Sequence, residues 1–88
     1  MKLDYGDDSY DVVVVQYPPF LTHVLLRDGD GMVPVFATAE CHPKDQFSRK
    51  RGRKLAFKRL LNSIGYSREQ RKEAWDKWFE KFPKDNKS

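Results

Sequence analysis

A run of positive charge in the second half of the sequence has the residue types and spacing to bind an anion. Seven of the eleven residues from 49 to 59 are cationic: Arg49, Lys50, Arg51, Arg53, Lys54, Lys58 and Arg59. Lysine and arginine neutralise phosphates and carboxylates. Because these side chains cannot all share one side of a helix, we expect them to form a basic collar around an apolar stripe. Its partner can be a nucleic acid, a nucleotide or an acidic protein groove, and the alternative is a solvated face that balances the acidic half.

The residue types that support catalysis or metal binding are few and poorly placed. Cys41 and His42 are adjacent, and neighbours on a strand face opposite sides, so they do not form a nucleophile and base pair. His23 leaves the ligand set too small for a metal site. The turn sequence from Asp28 to Gly31 lacks the later acidic ligands of a calcium loop. We therefore predict a binding protein with no enzyme activity, no metal and no cofactor.

The 88 residues predict one domain, and their charges divide it into two unlike halves. Residues 1–45 carry three Lys or Arg against eight Asp or Glu, a net charge of −5. Residues 46–88 carry fourteen against five, a net charge of +9. The two halves can neutralise each other, present opposite faces, or pair between the subunits of a homodimer.

Cysteine content and hydropathy predict the compartment. A single cysteine forms no intrachain disulfide, which fits a reducing compartment. The longest apolar runs, such as residues 12–15, are far too short to span a bilayer, and the acidic N-terminus lacks an apolar run of signal length. We therefore expect a cytoplasmic protein without a membrane partner.

The first half of the sequence has the patterns of strands. β-branched residues from 11 to 17, followed by Pro18-Pro19, predict a first strand, and the segments 20–27 and 32–41 predict a hairpin around a glycine-rich turn. In the last of these segments Ala37 and Ala39 alternate with Phe36, so they should face opposite sides of the sheet. Residues 1–10 are acidic and predict a loose N-terminal arm.

The second half of the sequence has helical periodicity. Apolar side chains at helical spacing predict one helix over 46–63, capped by Asp45 or Ser48, and another over 68–82, opened by the capping box of Ser67 and Gln70. The aromatic residues of the second helix should be core: Trp75, Trp78, Phe79 and Phe82. Gly52 indicates close packing of the first helix against the sheet.

The predicted fold is α+β, a three-stranded antiparallel sheet followed by two helices on one face (β-β-β-α-α). The predicted boundaries are an acidic N-terminal arm at 1–10, one domain at 11–83 and a polar tail at 84–88.

One stretch of about 25 residues resembles a known kind of protein. A strand ends at Cys41, residues 43–47 supply Pro, Asp and Phe, and a helix with Gly52 and Arg59 follows. This pattern, within residues 37–60, resembles the strand-to-helix junction of small phage and prophage accessory proteins. The resemblance implies a phage-encoded protein of the host cytoplasm. Such proteins often inhibit host immunity by binding one of its components, as anti-CRISPR proteins do, and some anti-defence families sequester a signalling nucleotide.

These observations give two functional hypotheses that share one surface. The first is a non-enzymatic inhibitor of a host defence system, which binds a host protein or protein–nucleic-acid complex through the basic collar. The second is a small nucleic-acid-binding module that uses the same residues, Arg49 to Arg59. Nucleic-acid binding should weaken steeply with salt, whereas a packed protein interface should weaken much less.

Overall fold

The computed structural model describes residues 1–41 and 48–86 of an α+β protein. An antiparallel sheet in the order β1-β2-β3-β4 precedes two helices, and a 3₁₀ helix follows them. The elements are β1 (Lys2–Tyr5), β2 (Asp8–Tyr17), β3 (Leu21–Arg27), β4 (Val35–Glu40), α1 (Arg49–Ser63), α2 (Arg68–Lys81) and the 3₁₀ helix (Pro83–Asn86). The predicted antiparallel sheet followed by two helices is therefore confirmed.

The predicted number of strands is wrong, because the segment expected to be an acidic arm forms a fourth strand. β1 pairs with the first four residues of β2, and the turn between them contains Gly6 at a φ of 64°. Leu3 faces the core and is almost fully buried, while Lys2 and Asp4 on either side are exposed. With one buried residue in four, β1 has too short an apolar pattern for the sequence to reveal.

The strands predicted over 11–17 and 20–27 are β2, which begins three residues earlier at Asp8, and β3, and the last strand follows the predicted alternation. Ala37 and Ala39 of β4 are buried on the helix side of the sheet, whereas Phe36 is 60% exposed on the other side. The structure shortens this strand, since the predicted segment 32–41 becomes Val35–Glu40. We call the side of the sheet opposite the helices the open face.

Both helices begin and end at residues that the sequence indicates. The Ser48 Oγ accepts a hydrogen bond from the Arg51 N–H at 3.2 Å, so Ser48 is the N-cap of α1. Gly65, at a φ of 72°, lies just beyond the end of this helix. The capping box of Ser67 and Gln70 is formed at the start of α2. The predicted start of the first helix at residue 46 is wrong, because Ser48 is extended and α1 begins at Arg49, and α2 ends at Lys81, one residue before the predicted end. Asp45, the other predicted cap, lies outside the described residues.

Of the four aromatic residues of α2 predicted as core, Trp78 lies within it, and Trp75, Phe79 and Phe82 are half-buried and pack against it. Trp78 is fully buried and stacks on Phe57 of α1, with ring centroids 4.2 Å apart and planes inclined by 15°. Trp75 and Phe82 extend this cluster at 6.2 and 4.7 Å from Trp78. Aliphatic side chains from all four strands meet these rings, so the sheet and both helices share one core.

The segment predicted as a polar tail contributes a buried charge. Asp85, within the 3₁₀ helix, is fully buried, and the Trp78 Nε1–H donates to its Oδ2 at 2.9 Å. Arg53 of α1 reaches the same carboxylate, its Nε–H donating to Oδ2 at 2.9 Å. The contact ties the end of the described chain to both helices. Residues 87–88 of the predicted tail lie outside the described residues.

Gly52 lies where α1 approaches the sheet most closely. A Cβ at this position would be 2.6 Å from the Oγ1 of Thr22, a fully buried side chain of β3. Gln16 fixes the position of that hydroxyl. Its Nε2 donates to the Thr22 Oγ1 at 3.2 Å and to the Arg49 carbonyl at 2.9 Å. This contact explains Gly52 by packing, as the sequence analysis expected.

The variant Gly52→Ala should lower the free energy of unfolding by about 1 kcal/mol. Overpacking costs about 1–3 kcal/mol, and the better helix propensity of alanine offsets about 1 kcal/mol of it. In a Thr22→Ala background the obstructing hydroxyl is absent, so Gly52→Ala should then be neutral or stabilising. Urea denaturation of the four proteins of this double-mutant cycle tests the prediction. The same loss in both backgrounds would contradict it.

Candidate functional site

The charge on α1 is of one sign, and that on α2 is mixed. α1 contains all seven residues of the basic collar and no Asp or Glu. α2 contains five Lys or Arg and four Asp or Glu over a similar length. Mixed charges are typical of a solvated helix, whereas a field of one sign repels itself and attracts an oppositely charged partner. The one-sign charge makes α1 the candidate site.

The described acidic residues of the first half form no ion pair with α1, although Glu40, which pairs with Leu21, lies at the same end of the sheet as its first turn. Burial and, after it, the carboxylates of Asp8 and Asp28 raise the pKa of Tyr10 above its ordinary value, so these acids lie together at one end of the sheet. The first turn of α1 lies near the other end, where the Arg49 carbonyl accepts from Gln16. The described residues form the ion pair Arg53–Asp85, and both of its members belong to the second half of the sequence. No ion pair within 4 Å therefore joins the two halves among the described residues.

The structure separates the basic collar into residues with different roles. Arg53 points inward, its side chain is 17% exposed, and its guanidinium lies 4.7 Å from the Phe82 ring centroid as well as against Asp85. Arg59 reaches the edge of β4 and donates from Nη1 to the Thr38 carbonyl at 2.7 Å. Both residues therefore hold the fold together, which the run of cations alone does not reveal.

Three of the cations lie along one face of α1, where Arg51 and Lys58 are exposed and Lys54 is half-buried. Arg51, Lys54 and Lys58 are three or four residues apart in succession, the spacing of one helix face. At a rise of about 1.5 Å per residue, Arg51 and Lys58 are about 10 Å apart along the helix axis. None of the three forms an ion pair with a described residue. We call these three residues the basic stripe; Arg49 is exposed and Lys50 half-buried in the turn before it.

Aromatic side chains cover the open face of the sheet. His23 lies edge-on between Tyr17 and Phe36, with ring centroids 5.7 and 6.0 Å away. Tyr17 is 56% exposed, and Phe20 and Met32 near the ends of the face are exposed as well. Contiguous exposed apolar side chains mark interaction surfaces in soluble proteins. The sequence analysis did not identify this face, although the alternation of β4 already places Phe36 on it.

The remaining candidate residues form no site within the described part of the chain. The His23 Nδ1 lies 2.9 Å from the Thr38 Oγ1, and Cys41 is half-buried, while His42 lies outside the described residues. The structure groups no three potential metal ligands over residues 1–41 and 48–86. Within the same residues, no helix is both long and apolar enough to cross a bilayer.

Known proteins offer no guide to this site. Comparisons of the chain with protein-family models, with curated proteins and with solved structures found no significant match.

Proposed function

We propose that this chain is a non-catalytic binding protein that holds the phosphate backbone of a nucleic acid on the basic stripe. The observation that supports the proposal is the one-sign charge of α1: seven cations, no acid, and three cations of the basic stripe that form no ion pair with a described residue. Phosphate contacts of this kind position a protein on nucleic acid without reading its sequence.

The cost of the basic stripe to the free protein also supports this function. Lys54 and Lys58 are four residues apart, a spacing at which like charges destabilise a helix by about 0.2–0.5 kcal/mol. Arg51 lies three residues before Lys54 and adds to the same positive electrostatic field. An anionic partner removes this repulsion, and the counterions that it releases add to the affinity.

An inhibitor of a host defence protein is the second candidate function. The exposed aromatic row of Tyr17, His23 and Phe36 favours it, because aromatic side chains are enriched at the centres of protein interfaces. The resemblance to phage accessory proteins points the same way. On this proposal the basic stripe contacts an acidic rim of the target, and the chain acts in the cytoplasm of the host.

Fluorescence anisotropy with a labelled 20-nucleotide single strand and a 20-base-pair duplex tests the first proposal. Between 50 and 200 mM salt, duplex binding should weaken by about 40-fold if three phosphates are neutralised and by about 500-fold if five are, and single-strand binding by about 20-fold and about 130-fold. The double variant Arg51→Glu/Lys54→Glu should weaken binding at 50 mM salt more than tenfold and flatten the salt dependence, because each lost phosphate contact lowers the slope by about one.

The matched control is a double variant of α2, Arg68→Glu/Lys72→Glu. Both positions are exposed, and the change in net charge is the same. The control should bind nucleic acid within about threefold of the parent protein, since long-range repulsion is screened over about 14 Å at 50 mM salt and about 7 Å at 200 mM. Equal losses for the two double variants would show that only net charge matters and would reject the basic stripe. If neither nucleic acid binds at 50 mM salt, the inhibitor becomes the better proposal.

A further inference from the structure

Within residues 1–41 and 48–86, no strand pairs with the second half of β2 on the side where β1 lies, and we call this side the open edge. β1 pairs with residues 8–11 only, and the Val12 N–H donates to the Met1 carbonyl at 3.0 Å just beyond them. Backbone groups alternate in direction along a strand, so the N–H and C=O groups of Val14 and Gln16 point to the same side as those of Val12. No described residue forms a hydrogen bond with these four groups.

A cleft lies beside this open edge. Its volume is about 500 Å³, within the range of ligand-binding pockets. It is lined by β2 on one side and by the helices on the other, with Val12, Val14, Gln16, Arg53, Lys81 and Phe82 among its walls. Val12, Val14 and Phe82 contribute apolar surface to it, whereas Arg53 and Lys81, 4.7 and 5.7 Å from the Phe82 ring centroid, bring positive charge.

We propose that the open edge of β2 binds an extended peptide as an added strand, and that the peptide carries an acidic side chain toward Arg53 and Lys81. Alternating N–H and C=O groups match another peptide backbone, which offers both donors and acceptors. A phosphodiester backbone only accepts hydrogen bonds, so it leaves the carbonyls of Val14 and Gln16 without donors. The edge therefore selects a peptide over a nucleic acid.

The side chains around the edge define the peptide's sequence pattern. A residue opposite Val14 directs its side chain to the helix face, where Phe82 and the two cations lie. Its two neighbours point to the open face, beside Val13 and Val15 of β2, and are best apolar. The cleft is lined by three cations, Arg27, Arg53 and Lys81. Two acids oppose them: Asp11 in the lining and Asp85, the ion-pair partner of Arg53. One acidic residue of the peptide would balance the remaining positive charge.

The edge of β4 is a less suitable site for the same peptide. The Cys41 N–H donates to the Phe20 carbonyl, and by alternation the backbone groups of Thr38 point away from β3 toward solvent. The Thr38 carbonyl already accepts from Arg59. A charged side chain across an outer strand is a common device against strand addition. β4 therefore serves as an internal control.

Titration of the ¹⁵N-labelled protein with the blocked peptide Thr-Val-Glu-Val-Thr tests the proposal by NMR. The amide signals of Val14 and Gln16 should shift saturably and their hydrogen exchange should slow, while the outward amides of β4 stay unchanged. Shifts centred on Phe36, Thr38 and Glu40, or no saturable shift up to millimolar peptide, would overturn the assignment. A homodimer that the peptide dissociates would also overturn it, because a second copy would then cover the edge.

Two altered peptides separate strand addition from simple charge attraction. N-methylation of the glutamate nitrogen removes the donor to Val14 and should weaken binding about tenfold, as the loss of one good hydrogen bond does. Replacement of the glutamate by lysine should weaken binding by a similar factor. The protein variant Lys81→Glu should reduce the preference for the glutamate peptide over the lysine peptide. Equal binding of the N-methylated peptide would exclude an added strand. The variant Arg51→Glu/Lys54→Glu should bind the peptide like the parent protein, so this test fails or succeeds independently of nucleic-acid binding.

Discussion

The variant Asp85→Ala is expected to lower the free energy of unfolding by about 3–5 kcal/mol, the usual cost of removing one partner of a buried ion pair. The carboxylate is fully buried and accepts hydrogen bonds from both Arg53 and the Trp78 indole. Alanine leaves both donors without an acceptor. A domain of this length has a total stability on the order of 5–10 kcal/mol. The variant should therefore be partly unfolded at physiological temperature, which thermal denaturation followed by circular dichroism measures directly.

Asp76→Ala is the matched control for this prediction. It removes an exposed acid of α2 with the same change in net charge, and should alter stability by no more than about 0.5 kcal/mol. The double variant Arg53→Met/Asp85→Asn removes the ion pair but keeps an acceptor for the Trp78 indole, so it should recover much of the loss. A cost below about 1 kcal/mol for Asp85→Ala would mean that the 3₁₀ helix does not dock on α1 and α2.

The variant Trp78→Ala should cost about 3–5 kcal/mol, as truncation of a large buried ring does. The indole stacks on Phe57, contacts Phe82 and donates to Asp85, so alanine leaves both a cavity and a buried carboxylate with one donor fewer. Trp78→Phe retains most of the ring packing and should cost clearly less. Urea denaturation of the two variants separates the contribution of the ring from that of the indole N–H.

Phe36→Ala serves as the control for truncating an aromatic side chain. Phe36 lies on the open face and is 60% exposed, so its removal should change stability by about 0.5 kcal/mol or less. If Phe36→Ala and Trp78→Ala cost the same, the assignment of core and open face would be wrong. If Phe36→Ala leaves stability intact but abolishes binding to a host protein, it would support the inhibitor.

On our two proposals, the basic stripe and the open edge of β2 bind different partners. The basic stripe, whose cations form no ion pair with a described residue, would bind the phosphates of a nucleic acid. The open edge offers backbone donors and acceptors beside a cleft of apolar and charged side chains, which would suit an extended peptide. Arg53 lies in the cleft wall and belongs to the second surface. A protein with both surfaces can hold a nucleic acid and a protein segment at the same time.

Much of the fold was predictable from local patterns. The alternation in residues 32–41 places Phe36 opposite Ala37 and Ala39 before any tertiary contact is known, because side chains alternate along every strand. The caps at Ser48 and Ser67 and the helix stop at Gly65 depend on residues within one turn of each helix end. β1 escaped prediction because its single buried residue has no period to detect, and only pairing with β2 makes it a strand.

The sequence by itself determined the α+β order of elements, the aromatic core of α2 and the one-sign charge of α1, since each depends on the type and spacing of neighbouring residues. Only the tertiary structure decided which cations contact the rest of the fold. Arg53 meets Asp85 across 32 residues of sequence, and Arg59 meets Thr38 across 21. It also decided that Val14 and Gln16 lie at an open edge. These features depend on how the elements pack: which distant segments meet, and where one strand ends beside its neighbour. The spacing of residues along one element does not specify that packing.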